Sequence, residues 1–488
     1  MIKELKVLFL AAEAEPFVKI GGLGDVAGSL PPALKSLGGI DIRVAIPFHG
    51  AIQRQSFAMS RVANFEIPFR AGTAHVEGLA TDVGGVTFYL IAGDLMPADA
   101  PVYTADPSVD GYKFTFFSLA AIELARQLGW TPDILHANDW HTAPAVYALS
   151  LRRDEDTQFH NTATVLGLHN LPYLGVGAGQ ALMDFGLPPA SDSVLPWWAQ
   201  DMPLPLGLLT ADHIVAASPT YAREILTPEF GSGLEQFLKT RKAHISGILN
   251  GINTDRWDPT TDNAIAAPYD ADHLDLRREN KTALLREFGL NTDPEVPLLG
   301  MVTRMDPQKG IDLVPDALRM VENLGWQSIF LGTGVTAVEK AIRRLEKEYP
   351  NRVKAAIRFD ALLSRRIYAG ADILLIPSRY EPCGLTQMIA MRYGCIPLAR
   401  ATGGLKDTVQ ASGEKANGFL FKQARSEVLA KALKESFRVF NDQDRWHNLQ
   451  RNGMLQDFSW AHFARQYAVL YHKLAEQLRM ARSPTLQD

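Results

Sequence analysis

Residues 5–37 read LKVLFLAAEAEPFVKIGGLGDVAGSLPPALKSL, and this stretch decides the fold. It runs from a short apolar segment, Lys6–Ala12, through a glycine-rich turn into an apolar helix that ends near Leu37. A continuous apolar run that leads into such a turn and helix is typical of a strand buried on both faces of a parallel sheet. The run is too short for a secretion signal, and Glu4 and Glu13 bracket it. We therefore interpret it as a buried first strand.

The same pattern recurs along the chain, where apolar runs alternate with stretches of helical period. Further strands are predicted at Ile42–Ile46, Val86–Ile91, Ile134–His136, Ala163–Leu168, His213–Ala216, Leu298–Thr303, Ser328–Leu331, Ala355–Phe359, Ile373–Pro377 and Ile396–Ala399. Amphipathic helices are predicted at Phe114–Gln127, Val338–Glu348 and Val428–Phe440. This alternation predicts an α/β protein built from βαβ units.

The length of 488 residues indicates more than one domain. Residues Asn253–Asn280 are rich in Asp, Thr, Asn and Pro and have little apolar periodicity, so we interpret them as a linker. We predict a first domain at 1–250, a second at 255–460 and a C-terminal helix at 461–488. Phe463, Tyr467 and Tyr471 make that helix hydrophobic enough to need a partner surface, which we expect on the first domain.

The composition is that of an ordinary soluble protein, with 47% hydrophobic and 21% charged residues. A net charge of −5 and the lack of a long basic run argue against nucleic acid or an anionic membrane as the main partner. No stretch approaches the roughly 20 apolar residues of a membrane span. The two cysteines, Cys383 and Cys395, form no metal-binding or disulfide pattern, so we expect a reducing, cytoplasmic location and no metal.

The glycine-rich turn of the first βα unit is the first candidate binding site. Gly21 and Gly22 allow backbone N–H groups to approach a ligand closely, and the following helix N-terminus favours a phosphate. Lys19 adds a mobile positive charge. A tight turn with a surface lysine explains these residues equally well.

A second candidate site is the segment Thr303–Gly310, which follows a predicted strand. Open α/β sheets bind ligands at the carboxyl ends of their strands. Arg304 and Lys309 lie on one loop there, so both cations would converge on a diphosphate. The alternative is a solvated loop with an incidental spacing of charges.

A third candidate site is the segment Pro377–Gln387, which joins another strand to a helix near Gly384. The backbone amides at 384–386 would face a phosphate, and Glu381 would accept hydrogen bonds from sugar hydroxyls. Glu381 could equally be a structural cap. For Cys383 we favour a small buried hydrophobe over a reactive thiol.

Two weaker candidates follow strands in the first half of the chain, at 136–141 and 168–171. They contain Asp139, His169 and Asn170, and both would open onto the same crevice. Histidines and aromatic residues at such places are as often core residues, and no role is assigned to the aromatics Tyr103, Trp140, Trp197 and Trp198. The segment Gly332–Ala337 fits a dinucleotide fingerprint but lacks the acidic residue expected about 20 positions later.

Taken in order, the segments KxGGLxDV (19–26), HxxDWH (136–141), HN (169–170), RxxxQKG (304–310) and EPCGLTQ (381–387) resemble glycosyltransferase family 5. That family contains the bacterial glycogen synthases and the plant starch synthases, and the resemblance extends from Val7 to about Phe463. It implies a GT-B fold, in which two Rossmann-like domains face each other across a cleft. It also implies a retaining, metal-independent and cofactor-free glucosyltransferase that uses ADP-glucose and an α-1,4-glucan.

The resemblance implies the following roles for the site residues. The residues that would contact the donor's diphosphate and sugar are Lys19, Gly21 and Gly22. Arg304 and Lys309 would neutralise the leaving nucleoside diphosphate. The donor glucose and its phosphate would be held by Glu381, Cys383, Gly384 and Leu385. The glucosyl and acceptor side would be lined by Asp139, Asn170 and His169, with the His169 main-chain carbonyl facing the anomeric carbon.

The implied mechanism is a front-side attack by the acceptor O4, since the motifs supply no clear carboxylate nucleophile for a double displacement. The chain departs from the family pattern at Asn138, where a second histidine is common, and at Phe359, where a tyrosine commonly lies against the nucleobase. The second departure leaves a UDP-glucose-dependent glucan synthase as an alternative. Two further classes of protein are alternatives. A glucan phosphorylase would share the GT-B layout but needs a lysine that binds pyridoxal phosphate. A non-catalytic glucan-binding homologue would be expected to lose the charged cleft residues, which this chain retains.

Overall fold

The computed structural model describes residues 4–96, 101–191 and 193–482. The chain divides into two compact units. The first unit comprises Met1–Gly251 and Trp460–Asp488, and the second comprises Ile252–Ser459. Each unit is built around one sheet.

The first unit contains a nine-stranded sheet in the order β3-β4-β5-β2-β1-β6-β7-β8-β9. Its strands are β1 (Leu5–Leu10), β2 (Ile40–Pro47), β3 (Ser60–Phe69), β4 (Gly72–Val83), β5 (Val86–Gly93), β6 (Ile134–Asn138), β7 (Ala163–Leu168), β8 (His213–Ala216) and β9 (Ile245–Gly247). Its helices are α1 (Gly22–Ser36), α2 (Pro107–Gln127), α3 (Asp139–Arg152), α4 (Gly179–Asp184), α5 (Pro203–Thr210), α6 (Pro219–Glu224) and α7 (Glu235–Thr240), with short 3-10 turns at Arg54–Ser56, Trp197–Ala199 and Lys242–His244.

Seven of these strands, from β5 to β9 in the sheet order, pair in parallel, and β3 and β4 add an antiparallel edge next to β5. Strand β1 lies at the centre, paired with β2 on one side and β6 on the other. Val7 and Phe9 point into one hydrophobic cluster, while Leu8 and Leu10 point into another. The continuous apolar run of β1 is therefore explained by burial on both faces of the sheet.

The second unit contains a six-stranded, all-parallel sheet in the order β12-β11-β10-β13-β14-β15. Its strands are β10 (Leu298–Val302), β11 (Gln327–Gly332), β12 (Val353–Ile357), β13 (Ile373–Ile376), β14 (Ile396–Arg400) and β15 (Phe419–Phe421). Its helices are α8 (Arg277–Glu287), α9 (Val314–Arg319), α10 (Thr336–Glu348), α11 (Ala361–Gly370), α12 (Thr386–Arg392), α13 (Gly403–Thr408), α14 (Ser426–Phe440) and α15 (Gln443–Met454), with 3-10 turns at Pro307–Lys309 and Ile311–Leu313.

The last helix of the chain, α16 (Trp460–Arg482), belongs to the first unit. Its apolar face, which includes Trp460, Phe463 and Tyr467, joins the same cluster as Val7 and Phe9 of β1. Helix α16 therefore covers one face of the nine-stranded sheet, together with α1.

Candidate functional site

Both sheets reverse their strand order at one point, and several of the predicted site residues follow the strands on either side of it. In the first unit the reversal falls between β1 and β6, and in the second between β10 and β13. Loops at such a point diverge to opposite faces of the sheet and leave a crevice at the carboxyl ends of the strands. Lys19 and Asp139 follow β1 and β6, while Lys309 and Glu381 follow β10 and β13.

The glycine turn of the first unit is organised by Glu13, a residue that the motifs did not single out. The Glu13 side chain is buried, and its carboxylate accepts hydrogen bonds from the amides of Ile20 and Gly21, the latter at 3.1 Å. Burial raises the pKa of Glu13, and hydrogen bonds from Ile20, Gly21 and Tyr103 partly offset the increase. The two amides therefore point inward to a carboxylate. The only sequence signal for this role was an acidic residue directly after a buried strand.

Lys19 lies over the same turn and is held by carboxylates. Its ammonium contacts Asp25 at 2.6 Å and Glu15 at 3.3 Å, and about a third of its side chain is exposed. A side chain at Gly24 would lie 3.1 Å from the Cγ of Lys19. The turn thus keeps the lysine chain close to the start of α1, at the edge of the sheet where ligands bind.

Asp139 joins the ends of β6 and β7. Its backbone has a φ of 55°, which is unusual for a residue other than glycine. Its carboxylate accepts hydrogen bonds from the amides of His169, at 2.7 Å, and Asn170, at 3.2 Å. Burial raises the pKa of Asp139, while His169 and the two amides lower it. The structure therefore brings Asp139, His169 and Asn170 together.

The side chain of His169 is held by its neighbour on β6, Asn138. The Nε2 of His169 lies 2.9 Å from the Oδ1 of Asn138, and burial lowers the pKa of the imidazole. The Nδ2 of Asn138 donates to the carbonyl of Leu10 at 2.8 Å. At position 138, where this chain departs from the family pattern, the amide of Asn138 is fully buried and bridges β1 and the loop after β7.

In the second unit, Lys309 and Glu381 form an ion pair. The Nζ of Lys309 lies 2.9 and 2.7 Å from the two carboxylate oxygens, and the Ser378 hydroxyl donates to the same carboxylate at 2.8 Å. Gly310 has a φ of 64°, and a Cβ there would lie 2.1 Å from the carbonyl oxygen of Pro377. The glycine is required because the loop after β10 passes directly against the end of β13.

The segment that contains Cys383, Gly384 and Leu385 packs against a pair of adjacent glycines, Gly403 and Gly404. The sequence analysis did not identify this pair. A Cβ at Gly403 would lie 1.9 Å from the carbonyl oxygen of Glu381, and one at Gly404 would lie 2.0 Å from that of Cys383. The Gly404 amide donates to the Glu381 carbonyl at 3.1 Å. The only sequence signal was a Gly-Gly pair at a strand-to-helix junction, after β14.

Arg304 and Phe359 follow β10 and β12, at the same edge of the sheet as the ion pair. Arg304 contacts Asp306 at 3.3 Å and has a largely exposed side chain. Phe359 follows β12, two strands from β10, and its side chain is 87% exposed. The structure shows no contact that ties either residue to Glu381 in the part of the chain it describes.

Across residues 4–96, 101–191 and 193–482, no helix is both long and apolar enough to cross a membrane.

The fold matches that of solved glycosyltransferases. Starch synthase IV from Arabidopsis thaliana, solved with ADP and acarbose bound, has a TM-score of 0.86 and 32% sequence identity, covering 97% of this chain and 99% of that one. Sucrose-phosphate synthase from Thermosynechococcus elongatus shares the fold at a TM-score of 0.60 and 18% identity, over 97% of this chain and all of that one. Two Rossmann-like units with charged residues at both switch points thus define a glycosyltransferase of the GT-B class.

The sequence comparisons give the family. A starch synthase catalytic domain model matches residues 6–240, and a model for group 1 glycosyl transferases matches residues 285–454. Glycogen synthase of Thermotoga maritima is 39% identical over 96% of this chain and 99% of its own length. That of Bacillus cereus is 36% identical over 97% of this chain and its full length. The chain belongs to the glycogen and starch synthase family, which confirms the fold class and the family that the motifs predicted.

Proposed function

We propose that this chain transfers glucose from ADP-glucose to the non-reducing end of an α-1,4-glucan, with retention at the anomeric carbon. The family supports this reaction, and one of its members in the comparison was solved with ADP and acarbose. The observation that carries the proposal is the ion pair of Lys309 and Glu381 at the switch point of the second unit.

On the donor side, the chemistry requires stabilisation of a departing diphosphate. Lys309 contacts Glu381 directly, and its side chain is largely buried, where charge interacts more strongly than in water. Within the second unit, we assign Lys309 and Arg304 to the diphosphate. Glu381 would hold the glucose, and the backbone of Cys383, Gly384 and Leu385 would bind its hydroxyls or phosphate.

On the acceptor side, the buried Asp139 holds the amides of His169 and Asn170, which fixes the loop after β7. The His169 carbonyl would then face the anomeric carbon.

Retention without a covalent intermediate fits the state of the carboxylates at both switch points. Glu381 accepts from Lys309 and Ser378 through the described contacts, and Glu13 and Asp139 are buried and accept backbone amides. A double displacement would need a carboxylate free to attack the sugar. Front-side attack by the acceptor O4 needs none.

A donor screen tests the proposal. Purified protein is assayed with ADP-, UDP- and GDP-glucose on a glycogen primer, and the product linkage is determined by NMR. We expect the highest kcat/KM with ADP-glucose and an α-configured product. A higher kcat/KM with UDP-glucose would favour the alternative donor, and binding of glycogen without transfer would favour a non-catalytic homologue.

A further inference from the structure

The environment of His169 contains an amide whose orientation is fixed by its partners. The carbonyl of Leu10 can only accept a hydrogen bond, so the Nδ2 of Asn138 must face it, at 2.8 Å. The Oδ1 of Asn138 therefore faces the Nε2 of His169, at 2.9 Å. Because Oδ1 can only accept, His169 must carry its proton on Nε2. One buried side chain thus sets both the position and the tautomer of this imidazole.

Strand β7 leaves space for this arrangement by having no side chain at Gly167. A Cβ there would lie 2.5 Å from the Oδ1 of Asn138, 3.0 Å from the Nε2 of His136 and 3.3 Å from the Nε2 of His169. The backbone of Gly167 is ordinary strand with a negative φ, so space is what the position requires. Three polar side chains meet over one glycine, directly before the loop that carries His169.

Burial keeps the imidazole of His169 neutral. Burial lowers its pKa, and the Asp139 carboxylate on α3 partly offsets that effect. His136 on β6 is also buried and has a pKa lowered to about 3, so it brings no positive charge to the cluster at neutral pH. A neutral amide at position 138 preserves this balance, whereas a carboxylate would favour the imidazolium.

We propose that Asn138 is a positioning residue for the transfer reaction, holding His169 as a neutral, Nε2-protonated imidazole and thereby fixing the loop whose carbonyl faces the sugar. The inference rests on the proposed function, since it concerns the same site. It concerns the position where this chain departs from its family's motif.

The test compares two site variants, Asn138→Ala and Gly167→Ala, with a matched control, Thr162→Val. Thr162 directly precedes β7, at the end of the strand opposite to Gly167. It is buried and donates one hydrogen bond to the carbonyl of Pro132 at 2.7 Å. Thr162→Val removes one buried polar contact and leaves the cluster of Asn138, Gly167 and His169 intact. Thermal unfolding, kcat and donor KM are measured for all three with ADP-glucose and glycogen.

We expect both site variants to lower kcat by roughly 10- to 100-fold with a smaller change in donor KM, because misplacement of a reacting loop by about 1 Å has effects of that size. Thr162→Val should lose comparable thermal stability and keep its kcat within about twofold of wild type. Wild-type kcat in a folded Asn138→Ala protein would overturn the inference.

A pH profile separates positioning from general stability. In Asn138→Asp the added carboxylate raises the pKa of His169, so the acid limb of kcat/KM should move to higher pH than in the wild type. A profile that superimposes on the wild type would contradict control of the imidazole by residue 138. Failure of the wild type itself to transfer glucose would overturn the proposed function and this inference together, whereas an active wild type with unaltered variants would overturn the inference alone.

Discussion

At the scale of single residues, Lys309 has a well-defined geometry, since it contacts both oxygens of Glu381. We predict that Lys309→Ala lowers kcat roughly 10²- to 10³-fold, because one lost contact to a developing charge costs a few kcal/mol in the transition state. Steady-state kinetics with ADP-glucose provide the measurement. The matched control is Arg366→Ala, which removes an exposed ion pair with Glu287 in the same unit and should leave kcat unchanged. Equal kcat values for the two variants would refute the assignment of Lys309.

Phe359 makes a different contribution, because an aromatic side chain that is 87% exposed is available to stack on a base. Such a contact is worth about 1 kcal/mol beyond buried area, so Phe359→Ala should raise the donor KM about five- to tenfold with little change in kcat. Leu362→Ala serves as the control, since Leu362 is also exposed near the start of α11. An unaltered donor KM in Phe359→Ala would exclude stacking by this residue.

Lys309 and Glu381 were candidate site residues because they follow buried strands, and the resemblance to glycosyltransferase family 5 implied their roles. The sequence did not predict Glu13 or the pair Gly403–Gly404. Glu13 acts through backbone amides of its own turn, and the two glycines act by leaving room for carbonyl groups of another loop. Such roles depend on which loops meet in space, which a linear pattern does not contain.

At the scale of elements, every predicted apolar run is a strand in the structure, with bounds that differ by a few residues at most. Burial on both faces makes these runs conspicuous. Strands β3 and β4 were missed, as were the short β9 and β15. Strand β3 is mostly exposed or half-buried along its length, so its sequence offers no continuous apolar run. An edge strand of this kind is recognised only from its pairing with β4.

Helix α16 supports a prediction about stability. The hydroxyl of Tyr471, which is fully buried, lies 2.5 Å from the Nδ1 of His136 on β6. Tyr471→Phe keeps the ring but leaves a buried nitrogen without its partner, so the free energy of unfolding should fall by about 1–3 kcal/mol. Denaturant unfolding measures the change. The exposed Tyr173→Phe is the control and should not alter stability; equal stability of both variants would contradict a role for the Tyr471 hydroxyl.

At the scale of the whole molecule, buried histidines predict how stability depends on pH. Burial lowers the pKa of His136 and His141 to about 3 and that of His49 to about 4. An unfolded histidine titrates near 6.5, so below that pH the unfolded chain binds more protons and stability falls, by at most about 1.4 kcal/mol per pH unit for each residue. The raised pKa values of Glu13 and Asp139 act in the opposite sense, above the ordinary carboxyl range.

We therefore expect the unfolding temperature to fall between pH 7 and pH 5. Replacing His141 by Gln should flatten this dependence, because the variant has one fewer proton to bind on unfolding. The exposed His462→Gln is the control and should leave the slope as it is in the wild type. The same slope in both variants would show that His141 does not contribute.

The predicted division into domains came from length and from the polar composition of 253–280. Those residues lie within the second unit, which begins at Ile252. The sequence indicates that α16 is amphipathic. It does not show which strands lie next to one another in the sheet, and so it does not show which surface α16 covers. The apolar positions of α16 match the face of β1 that carries Val7 and Phe9.

Because α16 completes the first unit, the second unit is an insertion between Gly251 and Trp460. Its two ends lie side by side, since the Ile252 amide donates to the Phe458 carbonyl at 2.8 Å and Ile252 pairs with Ser459. During synthesis on the ribosome, the insert is therefore fully made before the first unit receives its last helix. We expect residues 252–459 expressed alone to fold, with cooperative thermal unfolding, and residues 1–251 alone to aggregate until a peptide of residues 460–482 is added. A 1–251 fragment that is monomeric and unfolds cooperatively without that peptide would contradict this expectation. The first unit would then be able to fold on the ribosome before α16 has been synthesised.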